Sequence, residues 1–186
     1  SEANGSTTLY AVWQAKTYVL TLTHADATTA GATSVTVTYD SKETEAFLLP
    51  IKTGYEFNGY YLNDVQYFDE TGKLIRAWDK DSAETLVAEF VAQQVGYTVI
   101  YYSQDINTAN KTEFARETLK AQADDEITVT PSKTLTGFTA AAAQTVTISA
   151  DGSTVVEFLY TRNTYTLTLE KSVGITTVES SMGSVI

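Results

Sequence analysis

The feature that most constrains this chain is a strand-like phrase that occurs three times along it. The phrase reads Thr-Tyr-Val-Leu-Thr-Leu at residues 17–22, Tyr-Thr-Val-Ile-Tyr-Tyr at 97–102 and Thr-Tyr-Thr-Leu-Thr-Leu at 164–169. Its tyrosines, Tyr18, Tyr97 and Tyr165, lie 79 and 68 residues apart. A spacing of this size is long enough for one small domain per repeat. We therefore interpret the chain as a tandem array of small modules.

Two further markers recur in phase with these tyrosines. An apolar segment precedes each phrase, at residues 8–13, 85–90 and 154–160. A Pro-x-Lys-Thr motif begins at Pro50, 32 residues after the first tyrosine, and at Pro131, 34 residues after the second. The shared phase indicates that the two stretches are copies of one module.

These markers divide the chain into four parts. Residues 1–14 are interpreted as the closing strand of a preceding repeat, and 163–186 as the start of a further one. Residues 15–93 and 94–162 are interpreted as two complete repeats. Both end parts should expose apolar faces and strand edges, so we expect them to pair with a neighbouring repeat or with another molecule.

Alternating apolar and polar residues within each repeat predict β-strands. Tyr18, Leu20 and Leu22 alternate with Val19, Thr21 and Thr23 in the first predicted strand. The composition agrees, because the chain has 32 threonines and 12 tyrosines, and both residue types fit a pleated sheet. The predicted fold is mainly β, α+β at most, with little helix.

One stretch, residues 112–121, has a composition that also suits a helix. Its Phe114 and Leu119 are five positions apart and form no helical stripe. Its position in the repeat matches the strand predicted at 35–39, so it is predicted as a strand. Tight turns are predicted at 69–72 and 150–153, where Gly72 and Gly152 can adopt a positive φ angle.

The residues most used in catalysis are scarce. The chain has no cysteine, which excludes disulfides, thiol catalysis and cysteine-based zinc sites. The chain has one histidine, His24, and no Gly-x-Ser-x-Gly motif whose serine it could activate as a general base. His24 is interpreted as an exposed residue at a strand end. We therefore expect no enzyme, no catalytic residues and no cofactor.

The charge balance restricts the partners. With 12 Lys and Arg against 23 Asp and Glu, the net charge is −11. Such a chain is not expected to bind nucleic acid, anionic membrane surfaces or sulfated glycans. No apolar run approaches the roughly 20 residues that a membrane helix needs, so no membrane insertion is expected.

Two oxygen-rich stretches, residues 79–84 and 105–110, could in principle hold calcium. Neither has the glycine and the distal glutamate that shape an EF-hand loop. They are interpreted as solvated turns, and no metal site is predicted. An isopeptide cross-link between lysine and asparagine is not indicated by any spacing in the chain.

Seven aromatic residues lie in the second half of the first repeat, namely Tyr55, Phe57, Tyr60, Tyr61, Tyr67, Phe68 and Trp78. Alternation predicts that about half of them fill the core that a module of this size needs. If exposed together, Tyr60, Tyr61 and Tyr67 would form a ligand-binding platform for a neutral glycan or a protein.

The first repeat resembles a known family. Ser-Val-Thr-Val-Thr-Tyr-Asp at 34–40, Gly-Tyr-Glu-Phe-Asn-Gly-Tyr-Tyr at 54–61 and Ala-Trp-Asp at 77–79 resemble the internalin-type B-repeat, or Listeria–Bacteroides repeat. The second repeat, with Gly-Phe-Thr at 137–139 and Gln-Thr-Val-Thr-Ile at 144–148, is similar to the related mucin-binding-protein-like repeats.

This resemblance implies tandem β-grasp (ubiquitin-like) modules of an extracellular protein on a bacterial cell surface. The function it implies is a non-catalytic stalk or spacer that displays a distal domain of an adhesin-like protein and contacts neighbouring repeats of the same chain. The alternative is that the modules themselves bind host or mucin glycans or a host-surface protein. Exposure of Tyr60, Tyr61 and Tyr67 would favour this alternative.

Overall fold

The computed structural model describes residues 8–106 and 110–168, and these residues form strands and loops without a helix. The prediction of a mainly β fold is therefore confirmed. The chain divides into two compact units, one ending at Val91 and the other beginning at Ala92. This division falls two residues before the repeat boundary inferred from the sequence.

Unit 1 is a five-stranded sheet in which the first strand lies between the second and the last. Its strands are β1 Thr17–Thr23, β2 Ser34–Thr38, β3 Tyr55–Leu62, β4 Val65–Phe68 and β5 Thr85–Ala92, in the order β2-β1-β5-β3-β4. Strand β1 pairs antiparallel with β2 and parallel with β5, where Leu22 is opposite Leu86. The first and last strands of the module thus lie side by side.

Unit 2 repeats this arrangement in a four-stranded sheet and adds a two-stranded one. Its strands are β6 Gln94–Gln104, β7 Lys111–Gln122, β8 Glu126–Val129, β9 Phe138–Thr139, β10 Gln144–Thr147 and β11 Val155–Arg162. The larger sheet has the order β7-β6-β11-β9, and β8 pairs with β10. As in unit 1, the first strand pairs antiparallel with the second and parallel with the last.

Strand β7 confirms that residues 112–121 are extended, although many of them favour helices elsewhere. The strand pairs with β6 along its whole length, so tertiary pairing overrides local preference. Both predicted turns are also present, with φ angles of 78° at Gly72 and 76° at Gly152. Only glycine adopts this conformation without strain.

Each unit has its own hydrophobic core. In unit 1, β1, β2 and β5 contribute aliphatic residues, whereas β3, β4 and the loop that follows β4 contribute Phe57, Tyr60, Tyr67, Phe68 and Trp78. In unit 2, eight residues are buried together: Tyr97, Val99, Tyr101, Val129, Ile148, Val156, Phe158 and Tyr160.

The interpretation of residues 8–13 as the closing strand of a preceding repeat stays a prediction. Residues 8–13 form no strand, and Leu9, Tyr10, Val12 and Trp13 are almost fully exposed. In unit 1 the position that a closing strand takes beside β1 is already occupied by β5. The opening phrase at 164–169 likewise forms no continuous strand as far as residue 168, and Leu169 lies outside the described residues.

Candidate functional site

The three candidate tyrosines lie on the β3–β4 hairpin but do not form a shared surface. Tyr60 and Tyr67 are buried in the unit 1 core, whereas Tyr61 is partly exposed. The predicted platform of three exposed tyrosines is therefore wrong for Tyr60 and Tyr67. Regular alternation along β3 would put Phe57 on the same face as Tyr61, but the strand is interrupted at Gly59, whose φ angle is +113°. The rings of Phe57 and Phe68 therefore pack against Tyr60, which enters the core.

Tyr60 reaches the only histidine of the chain. Its hydroxyl lies 3.4 Å from His24 Nδ1, and the backbone N–H of Gly31 donates to His24 Nε2 at 3.2 Å. Burial raises the pKa of Tyr60 to about 12, which keeps the hydroxyl protonated. His24 is therefore a partly buried structural residue, and its interpretation as an exposed strand-end histidine is wrong.

Tyr67 is held by the segment that follows the β4 turn. Its ring packs 5.1 Å from that of Trp78, and its hydroxyl donates to Asp79 Oδ1 at 2.9 Å. Hydrogen bonds from Lys80 and Tyr67 lower the pKa of Asp79. One carboxylate of the predicted oxygen-rich turn at 79–84 is therefore engaged in fixing a core tyrosine.

Tyr61 faces away from the core and joins a small polar group. Its hydroxyl accepts a hydrogen bond from Asn58 Nδ2 at 2.9 Å, and Gln66 Nε2 donates to the backbone carbonyl oxygen of Asn58 at 2.7 Å. Partial burial and the nearby carboxylates of Glu89 and Glu70 raise the pKa of Tyr61. An aromatic ring beside side-chain amides can both stack on a sugar ring and bond its hydroxyl groups.

The backbone of the hairpin fixes this arrangement through Gly59. Its φ angle is +113°, and a Cβ there would lie 2.1 Å from the carbonyl oxygen of Phe68 and 2.7 Å from Gln66 Nε2. The pairing of β3 with β4 shifts register between Tyr60 and Tyr61. This close approach brings Gln66 near Asn58, a contact that the sequence pattern did not reveal.

Unit 2 contains a second polar group that sequence reasoning missed. Glu117 on β7 accepts hydrogen bonds from Ser132 Oγ and Lys133 Nζ, both at 2.8 Å, and from the hydroxyl of Tyr101. Hydrogen bonds from Lys133, Tyr101 and Ser132 lower the pKa of Glu117 to about 2. Every member has a partner, so the group acts as a clamp that fixes the 131–133 segment to the sheet.

Three surface grooves lie apart from Tyr60, Tyr61 and Tyr67. One of about 320 Å³ is lined by Lys16, Tyr18, Tyr39, Asp81 and neighbours. Two others, of about 460 and 490 Å³, border the 42–47 segment. The two grooves at the 42–47 segment are lined in part by threonines and charged residues, whereas the first groove includes the rings of Tyr18 and Tyr39.

Within residues 8–106 and 110–168, no three acidic or histidine side chains lie close enough together to hold a metal ion. The described residues contain no helix long and apolar enough to cross a membrane. In the oxygen-rich stretch at 105–110, Asp105 Oδ1 accepts a hydrogen bond from Thr112 at 2.7 Å, while residues 107–109 lie outside the described part.

Comparison of the chain with protein-family models, with curated proteins and with solved structures gave no match in any of the three. Its function is therefore inferred from its own strands and side chains.

Proposed function

We propose that this chain consists of tandem β-grasp-like modules that serve as a non-catalytic spacer in an extracellular, adhesin-like protein of a bacterial cell surface. The modules would hold a distal domain away from the cell. The observation that carries the proposal is the strand order common to both units, in which the first strand lies between the second and the last. The resemblance of the first repeat to internalin-type B-repeats agrees with it.

The connection between the units supports a spacer. Strand β5 ends at Ala92 and β6 begins at Gln94, so a single residue separates the last strand of one unit from the first strand of the next. A flexible tether needs a much longer run of residues. In an array joined in this way, length grows with the number of modules.

The charge of the chain suits this role. A net charge of −11 keeps neighbouring copies apart and in solution. The salt bridges of unit 2 include Lys111 with Glu157 and Arg116 with Glu113, and these pairs lie on exposed parts of the sheet. Such surface pairs contribute little to stability, which leaves the two cores as the main source of it.

Small-angle X-ray scattering on the monomer, isolated by in-line size-exclusion chromatography, tests the spacer. We expect an elongated particle in which the two units follow one another. A compact particle with the units packed side by side would contradict the proposal. Protease treatment of intact bacteria tests the proposed location, because a surface stalk should be cleaved while cytoplasmic proteins are not.

A second function, binding of neutral glycans or a host protein, is favoured by the group around Tyr61. Tyr61 is partly exposed, and Asn58 and Gln66 supply amide groups next to it. Binding of the chain to immobilised mucins, neutral glycans and host matrix proteins would be compared with that of Tyr61→Ala. Tyr39→Ala is the matched control, because Tyr39 is a tyrosine 44% exposed elsewhere in unit 1.

A saturable signal that Tyr61→Ala loses and Tyr39→Ala keeps would make unit 1 adhesive. A signal that both variants keep would exclude Tyr61 as the site. Absence of any signal would leave the spacer as the function of these modules.

A further inference from the structure

The segment before β1 exposes an unusual amount of apolar surface. Leu9, Tyr10, Val12 and Trp13 are 89%, 85%, 93% and 90% exposed, and residues 8–13 include no charged side chain. Isolated exposed apolar residues are common, but four within five positions form a continuous patch of the kind that marks an interaction site.

The sequence of this segment matches the last strand of a module. Thr-Leu-Tyr-Ala-Val-Trp at 8–13 aligns with Thr-Leu-Val-Ala-Glu-Phe at 85–90, which lies in β5. By this alignment Leu9 corresponds to Leu86, which is fully buried, and Trp13 corresponds to Phe90, which packs against the core. Val12 corresponds to Glu89, which is exposed and charged.

In both units the last strand has the same neighbour. Strand β5 lies parallel to β1, and β11 lies parallel to β6. The expected partner of residues 8–13 is therefore a strand with the sequence of a first strand. Residues 164–168, Thr-Tyr-Thr-Leu-Thr, have that sequence, and they form isolated bridges instead of a continuous strand.

The exposed residues of this second segment lie at the positions that face the core in the complete units. Tyr165 corresponds to Tyr18 and Leu167 to Leu20, and the two are 63% and 54% exposed. Neither segment carries a charge, in a chain whose net charge is −11. Two copies can therefore meet at these segments without bringing like charges together.

We propose that residues 8–13 of one copy pair in parallel with residues 164–168 of a second copy. The contact would rebuild, between two chains, the pairing of last and first strand that each unit holds internally. It is a head-to-tail interface, so each added copy leaves one free segment at either end and the assembly grows as an open chain. This inference rests on the proposed tandem-module organisation and names the partner as a second copy of this chain.

Sedimentation velocity over a wide concentration range tests the proposal. We expect reversible association that strengthens with added salt, because screening weakens the repulsion between acidic copies. The double variant Leu9→Lys/Trp13→Lys should weaken association about tenfold or more, the effect expected when anchor residues of an interface are lost. Both residues lie outside the cores, so folding should be unchanged and is checked by circular dichroism.

Val12→Lys is the matched control. It adds a charge to the same segment, but at the position where β5 carries Glu89. Association should persist in this variant if the segment docks as a strand with one inward face. Equal loss in Val12→Lys and in the double variant would indicate non-specific sticking and would overturn the proposal.

A mixing experiment separates the two faces of the contact. Leu167→Lys should also prevent association, because it damages the other half of the interface. A mixture of Leu167→Lys with Leu9→Lys/Trp13→Lys should form a dimer that does not grow, since only one intact pair remains. A monomer in this mixture, or in the unmodified chain at every concentration, would overturn the proposal. The scattering test of the spacer uses the isolated monomer and is unaffected by this outcome.

Discussion

The two units place different residues at the same point of the same strand pairing. In unit 1, Val35 lies opposite Leu20 across the β1–β2 hairpin and is buried with it. In unit 2, Glu117 lies opposite Val99 across the β6–β7 hairpin. The carboxylate is accommodated because the loop after β8 supplies Ser132 and Lys133 as donors. A charged side chain is therefore tolerated at this position of the strand pair when a neighbouring loop donates hydrogen bonds to it.

The motif shared by the two repeats illustrates the same point. Lys133 of the second Pro-x-Lys-Thr motif binds Glu117, whereas Lys52 of the first lies 4.0 Å from the centre of the Tyr55 ring and 4.0 Å from Asp26 Oδ2. The two lysines therefore occupy the same position in their repeats but contact different side chains. Contacts depend on which side chains the facing strands provide.

The largest expected effect tests whether the two cores are independent. Phe68→Ala and Phe158→Ala each remove a fully buried ring, one per unit, and each should lower the free energy of unfolding of its own unit by about 3–5 kcal/mol. Native-state hydrogen exchange reports the units separately. If either substitution lowered the protection of both units equally, the chain would unfold as one cooperative body.

A smaller loss of stability is expected when a buried tyrosine hydroxyl loses its hydrogen-bond partner. The Tyr160 hydroxyl of unit 2 donates to the backbone carbonyl of Lys133, whereas Tyr60 of unit 1 depends on the His24 side chain. His24→Ala leaves the Tyr60 hydroxyl and the Gly31 N–H without that partner, and should lower unit 1 stability by about 1–3 kcal/mol. Urea denaturation measures the change.

Tyr60→Phe is the control for this prediction, because it removes the hydroxyl that His24 contacts. The cost of His24→Ala should be smaller in the Tyr60→Phe background than in the unmodified chain. An identical cost in both backgrounds would show that the contact between Tyr60 and His24 contributes nothing.

The next prediction concerns the free energy of unfolding of unit 2, which should depend on pH through Glu117. The pKa of Glu117 is lowered from 4.5 to about 2 in the folded chain, so the unfolded chain takes up the proton first as the pH falls. The stabilisation is complete above pH 4.5 and is lost as the pH falls towards about 2. At neutral pH, Glu117→Gln should cost unit 2 about 1.5 kcal/mol.

The measurement is the pH dependence of unit 2 unfolding in the unmodified chain and in Glu117→Gln. The difference in stability between the two should shrink as the pH falls through this window. Val35→Ala supplies the comparison in unit 1, since it leaves every titrating group in place and should not alter the pH dependence. A constant difference between Glu117→Gln and the unmodified chain would argue against the clamp.

The smallest expected effect compares the two glycine turns. Gly72→Ala and Gly152→Ala both place a side chain at a φ angle that costs about 1–2 kcal/mol. The cost should be higher at Gly72, where the new Cβ would lie 2.8 Å from Leu49 Cδ2, than at Gly152, where the nearest atom is 3.4 Å away. Thermal unfolding of the two variants ranks them, and a larger loss for Gly152→Ala would contradict the described packing.

Local pattern was enough to locate most strands. The alternation at 18–22 and at 156–160 identifies β1 and β11, because a buried face and a solvent face leave a period of two in the sequence. Repeat phase then identified β7, whose residues alone suggest a helix. The same phase predicts a closing strand at residues 8–13, but these residues form no strand in unit 1, where β5 already occupies the position beside β1.

The candidate site was less predictable than the strands. Alternation indicates that Tyr60 and Tyr61 point to opposite faces, but not which of them enters the core. That choice depends on the β3–β4 register and on the approach of Gly59 to Phe68. The pattern likewise gave no sign that His24 would meet Tyr60, since 36 residues separate them along the chain.

The sequence by itself determined the repeat spacing, the mainly β class, the turns at Gly72 and Gly152 and the scarcity of catalytic side chains. These properties depend on composition and on neighbours within a few positions. The tertiary structure decided which tyrosine faces solvent, which loop bonds Glu117 and which apolar segments are left exposed. Those outcomes depend on pairing between strands that are distant in the chain, and the energy of such pairing is not encoded in any single segment.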